Sequence, residues 1–520
     1  MVMKNSHVSL IMVEVKSLKI QPEEDDGMLT ERRRFSVSNV FSDDMVVQRD
    51  AAFSVTGTAS EQDDGKWVEV AFRGASARGR IENGAWEARF ESPFAADSEG
   101  HVLAVSVDGE AVASFRGVLT GDVWLVGGQS NASMPICGSH TGNGRLLYDL
   151  YRDCIDSASR EHPIRLFRQR ETELFESPYP KDTPQRNAVS GGGWSFADRD
   201  ALMPEQGSFS AIGYFFARRM AELNPAVPVG VVMCACGGVP LSLLAPAEAE
   251  KRFPASMAGR HASFGECRLE ASQIYNAMTA PFEQLTCRGM LFFQGEADAR
   301  KADVYDLALR LYIDALRVRF GNERLLFLNV QLTTYGEAVL LDDGTEIRID
   351  SGDFVEAPNL RMAQTRVKTG GCPDYEVICS MDTGWLPGQP DGAHAIRKKP
   401  VGDRMALAAA CLVYGAGRYE DCICPYPVAA AYHDGSVVVS FACASAGLKA
   451  KRGALKGFEV YLGGEWRRAD AVAEGDAVRV LCDGTADGVR YGHALRVLDD
   501  DTSNLIAASG LPAVAFELTK

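Results

Sequence analysis

Three segments of this chain place groups that could act together on a carbonyl carbon. In the first, the apolar run Val123–Val126 breaks into Gly127-Gly128-Gln129-Ser130-Asn131. A buried strand ending in two glycines lifts the following hydroxyl out of the sheet, where it can serve as a nucleophile if a base is within reach. The same residues also suit an ordinary strand-to-helix turn with Ser130 as its N-cap. In the second, Asp391-Gly392-Ala393-His394 follows a loop rich in glycine and proline and leads into a helix expected over Pro400–Leu412. Of the eight histidines, His394 is the one with a carboxylate three residues before it and such a loop leading in. An Asp-x-x-His pair at a helix entrance can fix the imidazole tautomer and leave its other nitrogen as a base; the alternative is an exposed loop histidine. In the third, the apolar run Leu291–Phe293 ends in Gln294-Gly295-Glu296-Ala297-Asp298. Its acids suit a helix N-terminus, and the Gln294 amide suits a developing oxyanion.

Positioning these segments requires a parallel sheet, because open α/β sheets gather sites beyond the carboxyl ends of their strands. Residues 119–420 alternate strand-like and helix-like stretches, such as Val229–Met233 after the helix Ile212–Leu223, and Leu325–Val330 after Val304–Phe320. That pattern predicts a parallel sheet with crossover helices. Residues 34–118 are short alternating runs separated by Gly and Asp turns, which predicts a small β-sandwich. Residues 421–520 turn β-rich again, and residues 1–33 read as a solvated tail. A chain of 520 residues exceeds a single core and is expected to form several domains.

With these motifs the chain resembles the SGNH-type esterases, and within them the sialate O-acetylesterases and related acetylxylan esterases. Phe41–Arg49, Tyr275-Asn276-Ala277-Met278, Val489-Arg490-Tyr491-Gly492 and Gly510–Ala513 are similar to further family blocks, in the family's order. The resemblance implies an α/β fold: an SGNH-hydrolase-like parallel sheet with helices on both faces, flanked by N- and C-terminal β domains. It implies carbohydrate O-acetyl ester hydrolysis through an acyl-enzyme, with an O-acetylated carbohydrate as substrate and no metal or cofactor. Ser130 would be nucleophile, His394 base and Asp391 its orienting acid, with Glu296 the other candidate for that place. The Ser130 N–H, a glycine N–H from Gly237-Gly238 (Gly238 preferred) and the Gln294 amide would form the oxyanion hole. Glu296, Gln129 and Asn131 would support them. The chain departs from the family where Val239-Pro240 follows the paired glycines, at Ala297-Asp298 and at Ala395 after the histidine. These changes alter the pocket wall and leave nucleophile, base and acid in place. A related glycan esterase, or a carbohydrate-binding protein that has lost catalysis, are the competing readings.

A net charge of −16 argues against nucleic acid or an anionic membrane as the main partner. An acidic glycan would need a local basic pocket, for which Arg145, Arg165 and Arg361 are candidates. The thirteen cysteines read as mostly buried thiols. No apolar run reaches the roughly 20 residues of a membrane span. The first residues lack the pattern of an export leader, so cytoplasmic placement is the default expectation, with secretion or a periplasmic location open if the N-terminus is altered. Motifs for zincins, P-loops, dinucleotide folds and the lipase quintet are absent.

Overall fold

The computed structural model describes residues 35–137, 143–169, 174–175, 181–187, 189, 191–203, 208–335, 338–340, 347–349, 356–384, 386, 389, 392–494 and 503–520. The expected N-terminal tail and Asp391 lie outside the described residues.

The central sheet is built from β1 (Glu110–Gly128), β2 (Ile164–Phe167), β3 (Trp194–Phe196), β4 (Val229–Ala235), β5 (Gly289–Phe293), β6 (Leu326–Val330) and β7 (Tyr375–Ile378). Their spatial order is β3-β2-β4-β1-β5-β6-β7. All neighbours run parallel except the β3–β2 edge pair. Strands β4 and β5 are buried along their whole length, as expected of parallel strands covered on both faces.

Helices α2 (Ala211–Leu223) and α5 (Lys398–Tyr414) pack together over one face, and α3 (Tyr305–Arg319) and α4 (Ala357–Thr369) over the other. Ring contacts fix the two sides. Trp124 on β1 meets Phe216 of α2, whereas Phe292 on β5 meets Tyr312 of α3. None of the described helices is long and apolar enough to cross a membrane.

Strand β1 is 19 residues long and belongs to two units at once. Its first half pairs antiparallel with Asp97–Val107 of the N-terminal β unit; its second half is the buried centre of the parallel sheet. Exposed and half-buried residues alternate from Val112 to Gly117, and from Val118 onward every residue is buried. The change of environment thus falls between Gly117 and Val118, inside one continuous strand. The C-terminal β unit is fastened to α4 by buried polar contacts. Thr365 Oγ1 and Gln331 Nε2 donate to the Ala515 carbonyl at 2.6 and 3.0 Å, and Ala515 N–H donates back to Gln331 Oε1 at 2.8 Å.

Candidate active site

The parallel register brings three strand ends to one level. Ala235 of β4 and Phe293 of β5 both pair with Gly128 at the end of β1. Gly128 has φ of +127°, and an added Cβ would lie 2.1 Å from the Phe293 carbonyl oxygen. Only glycine lets the chain turn there while hugging β5. Gln129 follows in extended geometry, and a single turn of helix, α1 (Ser130–Ser133), begins at once.

Ser130 sits half-exposed at the start of that turn. The first N–H groups of a helix have no internal acceptor, so the Ser130 N–H has none within α1. Gln129 is buried and turned the other way. Its side-chain oxygen accepts from the N–H groups of Gly295 and Ala297 at 3.4 and 3.2 Å, clamping the β5 loop to the serine turn.

Asn131 is the hub of the site. Its Nδ2 donates to Glu296 Oε1 at 2.7 Å and to the Ala393 carbonyl at 3.1 Å, and its Oδ1 accepts from Lys398 Nζ. The residue after the serine thus holds the residue before His394. Asn143 Nδ2 donates to the His394 carbonyl at 2.7 Å and fixes that segment from another side. Among the described residues no hydrogen bond joins Ser130 Oγ to the His394 ring, and His394 has other interactions. Such bonds often tighten only once substrate is bound. Glu296 Oε1 also accepts from Tyr335 Oη at 2.8 Å, and its buried Oε2 has no hydrogen-bond partner among the described residues. Burial, reinforced by Glu296, pushes the Tyr335 phenol well above its usual range, so it stays a proton donor to that carboxylate.

The β4 loop supplies the paired glycines. Gly238 is exposed, with φ of +68°, and its N–H makes no hydrogen bond among the described residues. Gly237 is more covered and has other interactions.

Gln294 requires a correction as an oxyanion donor. Its side chain is fully buried, and Nε2 donates to Asp298 Oδ2 at 2.6 Å and to the Val239 carbonyl at 3.3 Å. Its Oε1 accepts from Tyr305 Oη at 2.7 Å. Both amide protons face inward because a buried carboxylate is the stronger acceptor. Asp298 also accepts from Leu241 N–H at 2.8 Å and pairs with Arg260. Burial raises its pKa, with Arg260 opposing. Gln294 and Asp298 therefore brace the β4 loop that carries Gly238.

Two arginines proposed for an acidic glycan are also corrected. Arg361 is fully buried and donates to the carbonyls of Leu332, Thr333, Gly492 and Ala494, fastening the C-terminal unit. Desolvation pulls it down to about 10. Arg165 is buried against the Phe196 ring near the far sheet edge. Arg145 is exposed on the helix Asn143–Leu150, paired with Asp149. Sequence reasoning missed Lys398 and Tyr335. Lys398 lies within Arg397-Lys398-Lys399, which reads as a solvated charge cluster; its one signal is a cation at a helix start, where the dipole disfavours it.

Residues 120–370 match the model of a family described as carbohydrate esterase, sialic acid-specific acetylesterase. The matched segment, a little under half of the chain, is similar to the domain of that family. The match ends before the Asp391–His394 segment. Human sialate O-acetylesterase is 26% identical over 316 residues, covering 57% of this chain and 54% of the human protein. The rat enzyme is 25% identical over 340 residues, covering 57% of each. The chain thus matches little more than half the length of these curated relatives. A carbohydrate acetylesterase from Xanthomonas citri superposes with a TM-score of 0.74 at 26% identity, covering 93% of this chain and 99% of that one. The central α/β unit and both flanking β units therefore share the arrangement of a solved carbohydrate acetylesterase.

Proposed function

We propose that this protein is a carbohydrate O-acetyl esterase that works through an acyl-enzyme on Ser130. The observation that carries the reading is the serine turn itself: a half-exposed hydroxyl at the end of the central strand, cross-linked by Asn131 to the His394 segment. Ser130 attacks the acetyl carbonyl while His394 takes its proton, and Asp391 orients the ring. The N–H groups of Ser130 and Gly238 hold the oxyanion, a two-donor backbone hole without the Gln294 amide. The sugar alcohol leaves with the proton from His394, and water then clears the acetyl group. The chemistry uses only side chains and backbone of this chain. The preferred substrate is an O-acetylated sialic acid or related glycan.

Two measurements test this. Ser130→Ala is expected to lower kcat/KM for p-nitrophenyl acetate by at least about 10³-fold with the fold intact by circular dichroism. A variant retaining more than about a hundredth of wild-type activity would remove Ser130 as nucleophile. Turnover of 9-O-acetyl sialic acid against acetylated xylan then ranks the glycans; faster release from xylan would overturn the sialate preference and leave the esterase reading standing.

A further inference from the structure

Lys398 is almost completely buried, at the first position of α5. Two penalties attend that placement: lysine is rarely buried unless paired, and a cation at a helix N-terminus opposes the macrodipole. Its ammonium donates to Asn131 Oδ1 and stands 5.0 Å from the centre of the Phe293 ring. On the other side of the same amide lies the buried Glu296 carboxylate.

Asn131 is therefore held between a cation on its oxygen and an anion on its nitrogen. Flipping the amide would set its oxygen against the Glu296 carboxylate and the Ala393 carbonyl, and its NH₂ against the ammonium. All three contacts would become repulsive. The orientation that joins the serine turn, the β5 loop and the His394 segment is thus fixed electrostatically.

We propose that Lys398 is a positioning residue for the esterase reaction, acting through Asn131 to hold Ser130 and His394 in register. The proposal rests on the esterase reading above. Among the described residues Lys398 meets Asn131 and the Phe293 ring, and its effect should fall on kcat rather than on binding. A displacement of about 1 Å at a reacting group can lower the rate about 100-fold.

The experiment compares wild type, Ser130→Ala, Lys398→Met, Lys398→Arg, Asn131→Ala and the Lys398→Met/Asn131→Ala pair on p-nitrophenyl acetate. Folding is monitored by circular dichroism. Lys398→Met is expected to lower kcat about 30- to 100-fold with KM within about threefold, and Lys398→Arg to recover most of that loss. Because both residues act through one amide, the double variant should be no worse than about twofold below the poorer single variant. A Lys398→Met kcat within about threefold of wild type, no recovery by arginine, or single losses that multiply would each overturn the proposal. If Lys398→Met fails to fold, Asn131→Ala decides: a kcat within about threefold of wild type overturns it. An active Ser130→Ala would bring down the site reading and this proposal together, whereas a dead Ser130→Ala beside a normal Lys398→Met would bring down this proposal alone.

Discussion

The ends of β1 and β5 use nearly the same sequence pattern for opposite purposes. Each is an apolar strand closed by an amide, glycine and a polar residue: Gly127-Gly128-Gln129-Ser130 and Phe293-Gln294-Gly295-Glu296. At the first, the chain turns outward and leaves a hydroxyl half-exposed. At the second, the amide turns inward and is saturated by Asp298, Val239 and Tyr305. What separates them is the next charged group. Asp298, four residues on and fully buried, needs donors and draws the Gln294 protons to itself. Beside Ser130 the buried Glu296 is engaged by Asn131, which also takes up the charge of Lys398. A strand that ends in an amide is therefore an incomplete signature: Gln129 and Gln294 both face structure, and what differs is the half-exposed serine that follows the first.

The largest expected effect comes from the contact that ties the two ends together. Gly128→Ala would drive a Cβ to 2.1 Å from the Phe293 carbonyl, backbone against backbone, in a conformation that L side chains rarely adopt. Neither strand can yield without breaking the sheet. Loss of more than about 4 kcal/mol, seen as insoluble or unfolded protein, is expected. Normal folding of Gly128→Ala would show that the two ends are less tightly coupled than this register requires.

The inner amide gives the sharper test. Gln294→Leu leaves Asp298 short of one donor and removes the side-chain acceptor of Tyr305, at roughly 1–3 kcal/mol for each buried group left unsatisfied. The melting temperature should fall by several degrees. Activity per folded molecule should stay within about tenfold, well short of the 10²–10³-fold typical of a lost oxyanion donor. Ser130→Ala should show the reverse pattern, with activity lost and stability kept. A large kcat loss in a stably folded Gln294→Leu would restore that amide to the oxyanion hole.

Much of this was legible in the sequence for a physical reason. Apolar runs bounded by glycines mark parallel strands, and helices close to those expected over Ile212–Leu223 and Val304–Phe320 form at Ala211–Leu223 and Tyr305–Arg319. The convergence of three distant segments followed from topology, since sites gather at strand ends. The direction of the Gln294 amide was not legible. It depends on Arg260 and Leu241, which reach Asp298 from elsewhere in the chain. Lys398 was hidden for a similar reason: a three-residue run of cations looks solvated until packing buries its middle member.

Gly238→Ala probes the outer, open side of the site. Its added Cβ would meet nothing nearer than the Phe264 ring at 3.8 Å, so the cost is the left-handed backbone alone, about 1–2 kcal/mol. The N–H is retained. A small drop in melting temperature with kcat/KM within about tenfold is expected, far milder than at Gly128. Loss of the fold in Gly238→Ala would mean that this turn is braced as tightly as the strand end.

The smallest effect concerns the support behind β5. Helix α4 carries Gln364, whose Nε2 donates to the Gln294 carbonyl at 3.2 Å, and Asn359, which lies 2.8 Å from His493 Nε2 in the C-terminal unit. Burial, helped by Arg490, holds His493 down to about 4. The ring is then neutral in the folded protein and donates Nε2–H to Asn359 Oδ1. In the unfolded chain a histidine takes up its proton near pH 6.5. Between about pH 6.5 and 4 the unfolded state therefore binds more protons, and stability falls as pH falls. One group contributes at most about 1.4 kcal/mol per pH unit across that window, and the partial exposure of this ring lowers the figure. His493→Gln keeps an N–H for Asn359 and cannot titrate. Its melting temperature should decline less than that of wild type between pH 6.5 and 4.5, while esterase activity at pH 7.5 stays within about twofold. Parallel declines would show that His493 is already charged in the fold. A change in activity at pH 7.5 would show that the support behind β5 also reaches the serine turn, through the Gln129 clamp on Gly295 and Ala297.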